Sequence, residues 1–354
     1  MKAVPNFLHS SEVYKTLDCD EDSDITLPFK ENTNINSKKD LVFLIKTLNL
    51  WDSHEIPYSL FEYVHKNKEE FKSIIHEVKI EERKIEGAFN LVLILEEFIT
   101  IENEKLCEWS VENGYLNCLK YAHENGCPWN EYTCAYAVEN GYIDCLKYLH
   151  ENGCPLNEDT CLYAAVNGHL ECLKYAHENG YPWNKEICEC AARNGHLECL
   201  KYAHKNGCPW SKYTCSNAAK NGHLDCLKYS HENGCPWDAR TCEDSAFSGY
   251  LKCLKYAHEN GCPWNEYTCI SAAKNCHLNC LKYAHENGCE WNEYTCISAA
   301  KNGHFNCLKY AHENGCEWNE NTCSQAAQNG HLDCLKYAQE NGCPCPDKYL
   351  HLIV

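Results

Sequence analysis

Residues 194–211 read NGHLECLKYAHKNGCPWS, and close copies of this stretch return along the chain at a fixed interval. Cys118, Cys145, Cys172, Cys199, Cys226, Cys253, Cys280, Cys307 and Cys334 each precede Leu-Lys-Tyr and follow one another 27 positions apart, with no insertion or deletion. A fixed period of about 20–50 residues marks a stacked repeat, whose units bury their apolar faces only against their neighbours.

One unit can be read from Asn130. Asn130, Asn157, Asn184, Ser211, Asp238, Asn265, Asn292 and Asn319 share a column, and all are good helix N-caps. Helix A is expected over about 131–140, with Cys134, Ala137 and Val138 spaced i, i+3, i+4 as its apolar side. It ends at Asn140-Gly141, where glycine supplies a left-handed conformation. Helix B is expected over about 142–152, with Ile143, Cys145, Leu146, Tyr148 and Leu149 as its apolar face, and Pro155 follows its stop at Gly153. Helices this short are marginal alone and need their neighbours. Cys276 stands where Gly141, Gly168, Gly195, Gly222, Gly249, Gly303 and Gly330 end helix A, so local strain is expected there.

The chain has 354 residues, 44% of them apolar, and a formal net charge of −19. An acidic balance argues against a nucleic-acid surface, which needs a basic stripe, and against a basic membrane-surface helix. The start, MKAVPNFLHSSEVYK, has no apolar signal region. The apolar run around 89–95 is too short to span a bilayer. These features point to a soluble protein of a reducing compartment, expected to be cytoplasmic and monomeric. Of the 30 cysteines, 26 fall in three columns, running Cys107 to Cys323, Cys118 to Cys334 and Cys127 to Cys343, with Tyr181 interrupting the last. Members of one column in successive units should lie about 8–10 Å apart, the spacing of packed helices, beyond the roughly 7 Å that a disulfide bridges between Cα atoms. Buried thiols are the expectation, with bridges or metal as the alternatives.

Upstream, residues 1–36 read as a weakly ordered acidic segment containing DCDEDSD at Asp18–Asp24, with a short strand at Ile25–Phe29. Residues 37–100 read as a helical region capping the array. It comprises a helix from about Lys38 to Leu48 capped by Ser37, a second after Pro57 with Leu60, Phe61, Val64, Phe71, Ile74 and Ile75 on its apolar face, and a third over about 84–98. Residues 101–354 hold about nine repeats. The stretch EIPYSLFEYV (Glu55–Val64) faintly resembles the opening of an F-box or the helical tail of a POZ-type domain. Either likeness implies a ubiquitin-ligase adaptor.

The repeats themselves resemble ankyrin repeats. Thr214-Cys215 stands for the Thr-Pro of that consensus, Ala218-Ala219 for its paired alanines, Asn221-Gly222-His223-Leu224-Asp225 for its inter-helix turn, Cys226-Leu227-Lys228-Tyr229 for its second helix and Gly234-Cys235-Pro236-Trp237-Asp238 for its close. The unit departs in length, 27 residues rather than about 33, losing mainly the β-hairpin finger. The expected fold is therefore an all-α, ankyrin-type solenoid of helix-turn-helix repeats with a small helical N-terminal region. Such short repeats are similar to those encoded in bulk by large DNA viruses of protists, which implies a viral protein of the host cytoplasm. The resemblance implies protein–protein interaction without catalysis.

The rival chemistries are weaker. Each repeat carries Cys-x4-His-x3-Cys-x6-Cys, as at Cys118, His123, Cys127 and Cys134, which are zinc-capable ligand types. However, Cys118 and His123 lie five apart on one helix, about 140° around its axis. No metal or cofactor is expected. Repetition of Cys and His gives no unique pocket for a nucleophile and its base. The His123 column suits a helix's last turn, where the macrodipole favours it. The Trp column, Trp129 to Trp318, reads as packing between repeats, and the Lys120–Lys336 column as a solvated face.

The partner surface is assigned to the outer arc of helix A, where the copies diverge while the core arc and helix B stay nearly constant. The candidate residues are Tyr132, Tyr136, Tyr163, Arg193, Tyr213, Asn217, Lys220, Arg240, Tyr267, Lys274, Tyr294 and Lys301. Aromatic and arginine side chains are favoured contact residues. The row of Arg193, Lys220, Lys274 and Lys301 in an acidic protein calls for an acidic patch on the protein partner.

Overall fold

The computed structural model describes residues 58–69, 71–72, 90–154 and 159–353. Among these residues the regular elements are α-helices and short 3-10 turns, with no strand. The expected acidic segment 1–36, the strand at Ile25–Phe29, the helix over Lys38–Leu48 and the cap at Asn157 lie outside the described residues. The chain forms two compact units: Met1–Leu106 with Asn117–Cys127, and Cys107–Leu116 with Pro128–Val354.

In the first unit, the helix expected after Pro57 runs Tyr58–Lys66. It fully buries Leu60, Phe61 and Val64, and Phe71 just beyond it is also buried. The next described helix, Asn90–Thr100, contributes Leu95 and Phe98. The Phe61 ring lies 5.1 Å from Phe98, and Phe98 lies 6.1 Å from Tyr121. The Tyr58 hydroxyl donates to Glu124 Oε2 at 2.6 Å. Burial, and then that carboxylate, push the Tyr58 phenol well above its ordinary range.

The second unit repeats one motif. Helix A spans Glu131–Glu139 and recurs, for example, at Lys185–Arg193, Lys212–Lys220 and Glu266–Lys274. Helix B spans Ile143–Glu151 and recurs at Leu170–Glu178, Leu197–Lys205 and Leu224–Glu232. The caps are those the sequence calls for. The Asn130 side chain accepts from the amides of Tyr132 and Thr133 while Thr133 Oγ1 accepts from the Asn130 amide, so a capping box satisfies donors that the helix leaves orphaned. Asn184, Ser211, Asp238, Asn265, Asn292 and Asn319 cap their helices in the same way through one amide or more.

Helix A packs against the A helices before and after it, and against its own B helix. Cys134, Ala137 and Val138 are buried as expected, and in later units Cys and paired Ala fill the same arc, as with Cys215, Ala218 and Ala219. Small side chains let these helices approach closely. Leu146, Leu173, Leu200 and their equivalents on helix B are fully buried beneath them. Truncating one such leucine to alanine costs about 2–5 kcal/mol.

Two kinds of bond recur between neighbouring units. In the turn between the helices, His169 Nε2 lies 2.9 Å from the carbonyl of Glu139 in the preceding unit, and His196 and His304 repeat this at 3.0 Å. A carbonyl only accepts, so Nε2 carries the proton. The His169 ring lies directly over the preceding unit's glycine: a Cβ on Gly141 would sit 2.4 Å from His169 Nδ1. Gly141 therefore answers two demands, a φ of +76° and a ring in the space a Cβ would take.

The second bond joins B helices. His177 Nδ1 and the hydroxyl of Tyr202, one unit on, are 3.0 Å apart, and the pair recurs at His204–Tyr229, His231–Tyr256 and His258–Tyr283. The same imidazole stacks on the Trp six residues later, with His177 and Trp183 centroids 3.7 Å apart, and that indole meets the same Tyr edge-on at 6.1 Å. The Trp column thus packs between repeats. The His column does more than sit near a helix dipole: it is an interlocking element, and burial lowers the His204 pKa.

Cys276 is the one non-glycine residue among those described with positive φ, at 65°. The prediction is that Cys276→Gly stabilises the array by about 1 kcal/mol, since a left-handed L-residue costs about 1–2 kcal/mol. In contrast, Gly195→Ala, whose Cβ would meet His223 Nδ1 at 2.5 Å, should destabilise it by about 2 kcal/mol or more. Urea midpoints of the two variants, moving in opposite directions, check this.

Candidate interaction surface

Positions two, six and nine of helix A lie at i, i+4 and i+7, within about 60° on the helix wheel, so they form one outward stripe per unit. The stripes read Tyr132-Tyr136-Glu139, Glu186-Cys190-Arg193, Tyr213-Asn217-Lys220, Arg240-Asp244-Phe247, Tyr267-Ser271-Lys274 and Tyr294-Ser298-Lys301. Because consecutive A helices touch, neighbouring stripes stand side by side.

Apart from half-buried Glu139, the outer ends of these stripes are the exposed ones. Tyr132, Tyr267 and Tyr294 are 61%, 54% and 57% exposed, far above what a packed tyrosine shows, and Tyr213 is 39% exposed. Arg193, Lys220, Arg240, Lys274 and Lys301 are exposed too. The middle position is different. Tyr136, Tyr163 and Asn217 are half-buried.

Some of these side chains already hold each other. Arg240 Nη1 donates to the Tyr213 hydroxyl at 3.2 Å, with the guanidinium 5.5 Å from the ring centroid. Lys220 Nζ stands 3.7 Å from Asp244 Oδ1 and 5.4 Å from the Phe247 ring centroid. Burial raises the Asp244 carboxyl, and Lys220 opposes that rise. Lys220 is therefore a shared charge rather than a free one. At the other end of the face the charge changes sign: the Glu108 charge, then burial, then the Glu112 charge raise the Tyr136 phenol. The surface grades from acidic near Glu108 and Glu139 to basic from Arg193 through Lys301.

Sequence reading misses three features: the Arg240–Tyr213 stack, the Lys220–Asp244 pair, and Phe247 as an exposed ring beside a cation. The first two link residues 27 and 24 positions apart, and comparing adjacent columns between successive copies is the signal that would find them. Elsewhere, Lys174 and Lys201 pair with Glu171 and Glu198 at 2.7 and 2.8 Å along helix B, while Lys255 and Lys282 lie over the next unit's tyrosine rings. No group of three or more His, Cys, Asp or Glu among the described residues is arranged to hold a metal ion, and no described helix is long and apolar enough to cross a membrane.

Residues 108–186 match the family model of ankyrin repeats in three copies, and the same 27-residue unit continues to Cys343. No curated protein matches the chain. Among solved structures, the chain is similar to the crystal structure of the human ASB11 ankyrin repeat domain, with a TM-score of 0.40 and 17% identity, covering 44% of this chain and 84% of that one.

Exposed pairs of this kind contribute about 0–1 kcal/mol. Lys220→Ala and Arg240→Ala are each expected to move stability by less than about 1 kcal/mol in urea unfolding. A loss above about 2 kcal/mol would mark either residue as structural.

Proposed function

We propose that this ankyrin repeat protein is a non-catalytic scaffold that binds another protein through the outward stripes of its A helices. The observation that carries the reading is the exposed tyrosine column of Tyr132, Tyr213, Tyr267 and Tyr294, set beside Arg193, Arg240, Lys274 and Lys301 on one continuous face. Exposed aromatic and arginine side chains on a rigid base provide contact area at low entropic cost. The basic part of that face suits a partner with an acidic patch, and such complementarity acts chiefly on the association rate. We place the protein in a reducing compartment of the cytoplasm, in keeping with its many buried thiols.

The ligase-adaptor alternative rests on Glu55–Val64. Of that stretch, Leu60, Phe61 and Val64 are fully buried in the first unit, which leaves those three side chains no surface to offer a ligase subunit. This favours the plain scaffold.

Proximity labelling in the native cell identifies the partner, and binding kinetics then test the face. Arg193→Glu, Lys274→Glu and Lys301→Glu together are expected to slow association by about tenfold at low salt, with the effect shrinking as salt rises, and to leave the melting temperature unchanged. Lys220 is left out because a glutamate there would face Asp244. Wild-type kinetics in the triple variant, with binding lost instead on changing the Trp column, would move the site to the other face.

A further inference from the structure

The outward face of the A helices carries opposite charges at its two ends. In the column that closes each helix A, Glu112 and Glu139 stand in the first units and Lys274 and Lys301 near the other end. Glu112, Lys274 and Lys301 are exposed, and Glu139 is half-buried. Lys274 and Lys301 enter no ion pair among the described residues, whereas Asp238 and Asp244 hold Lys212 and Lys220. Glu112 and Glu139 likewise meet no cation among those residues. With Glu108, their charges act on the Tyr136 phenol.

Such a face can complement itself. Two copies can meet A face to A face about a two-fold axis parallel to the A helices, with their arrays running in opposite directions. Each column then meets the same column in reverse order. In the register that sets Glu112 on Lys301, Glu139 meets Lys274, Tyr132 meets Tyr267 and Val166 meets Phe247. The symmetry makes each of these pairs twice.

Only one other register gives both acids a cation, with Glu112 on Lys220 and Glu139 on Arg193. It draws on a lysine that Asp244 already holds, and it sets the exposed Asp159 against its own symmetry mate. In the favoured register Arg193 faces Lys220 at the middle. There the face is drawn back, because the A helices of this unit pack on one another more closely than the B helices do. Contact is therefore concentrated in the end units, where the signs are opposite and the tyrosine rings exposed. Each copy carries a net charge of −19. At physiological salt, charges more than about 8 Å apart are largely screened, so the pairs in contact decide.

We propose that a second copy of this chain occupies the A-helix face, as a weak antiparallel dimer held at its two ends. The proposal rests on the reading of this face as the recognition surface, and it adds a regulation: a partner that binds there displaces the second copy.

The reduced full chain is run in sedimentation velocity at about 150 mM salt, from micromolar to submillimolar concentration. The mass is expected to rise from 40.7 kDa toward twice that value. Glu139→Lys and Lys274→Glu each turn an attraction into a repulsion at both ends of the dimer. Each should weaken dimerisation by about tenfold or more, with the melting temperature unchanged. Mixed together, these two variants should associate again, because every facing pair is then unlike. One chain carrying both changes should dimerise like the wild type. Glu112→Lys with Lys301→Glu provides the same exchange at exposed positions, should a change at half-buried Glu139 disturb folding. The proposal is overturned by a chain that stays monomeric throughout, by a dimer indifferent to these reversals, or by variants that ignore each other when mixed. A monomer whose Arg193, Lys274 and Lys301 triple variant still binds its partner more slowly defeats the second copy alone and leaves the scaffold reading standing.

Discussion

The contact on which the second unit depends is the imidazole laid across a glycine. The turn histidines His169 and His196 donate to the last-turn carbonyl of the preceding helix A, and their rings occupy the space where a Cβ on Gly141 or Gly168 would stand; His304 makes the same bond although Cys276 stands at the glycine position. Where it occurs, that arrangement sets the tautomer of the ring, and a glycine beneath leaves the ring room. In those units one added residue would move the ring off its place and the donor off its carbonyl. Where tyrosine replaces the histidine, as at Tyr142 and Tyr250, its ring fills the same space over Gly114 and Gly222. The steric role therefore tolerates another flat ring.

From this constraint follows a division of labour between the faces. The B-helix side is closed by a second interlock, in which each histidine stacks on a tryptophan and meets the next unit's tyrosine hydroxyl. A residue with partners in two units has little freedom, and helix B is nearly identical from copy to copy. The outward stripe of helix A has fewer such obligations. Its first and last positions change freely among Tyr, Arg, Lys, Glu and Asn, while the cap stays within Asn, Ser and Asp and the buried Cys beneath stays fixed. A constant scaffold with one variable face is what a recognition surface requires.

Much of this was legible in the sequence. The helix bounds, the caps, the buried arc of Cys134, Ala137 and Val138, and the left-handed Cys276 follow from local rules on capping, periodicity and backbone sterics. What escaped involves contacts between columns. A helical wheel shows that His177 lies in a last turn, but not that the hydroxyl of Tyr202 arrives at its Nδ1. Spacing within a column separates cysteines by one unit, yet Cys134 and Cys154 come from different columns and meet. Tyr136, Tyr163 and Asn217 sit on the outer arc by angle and are still half-covered, which the wheel of one helix does not show.

The assignment of recognition to the A-helix face is tested most directly by side-chain footprinting. Hydroxyl-radical labelling of the full chain, with and without the partner recovered by proximity labelling, reads each aromatic ring separately. The account predicts that Tyr213, Tyr267 and Tyr294 lose labelling in the complex while Trp237, Trp264 and Tyr283 on the B-helix side keep theirs. Protection of the tryptophans with the tyrosine column still labelled would contradict it.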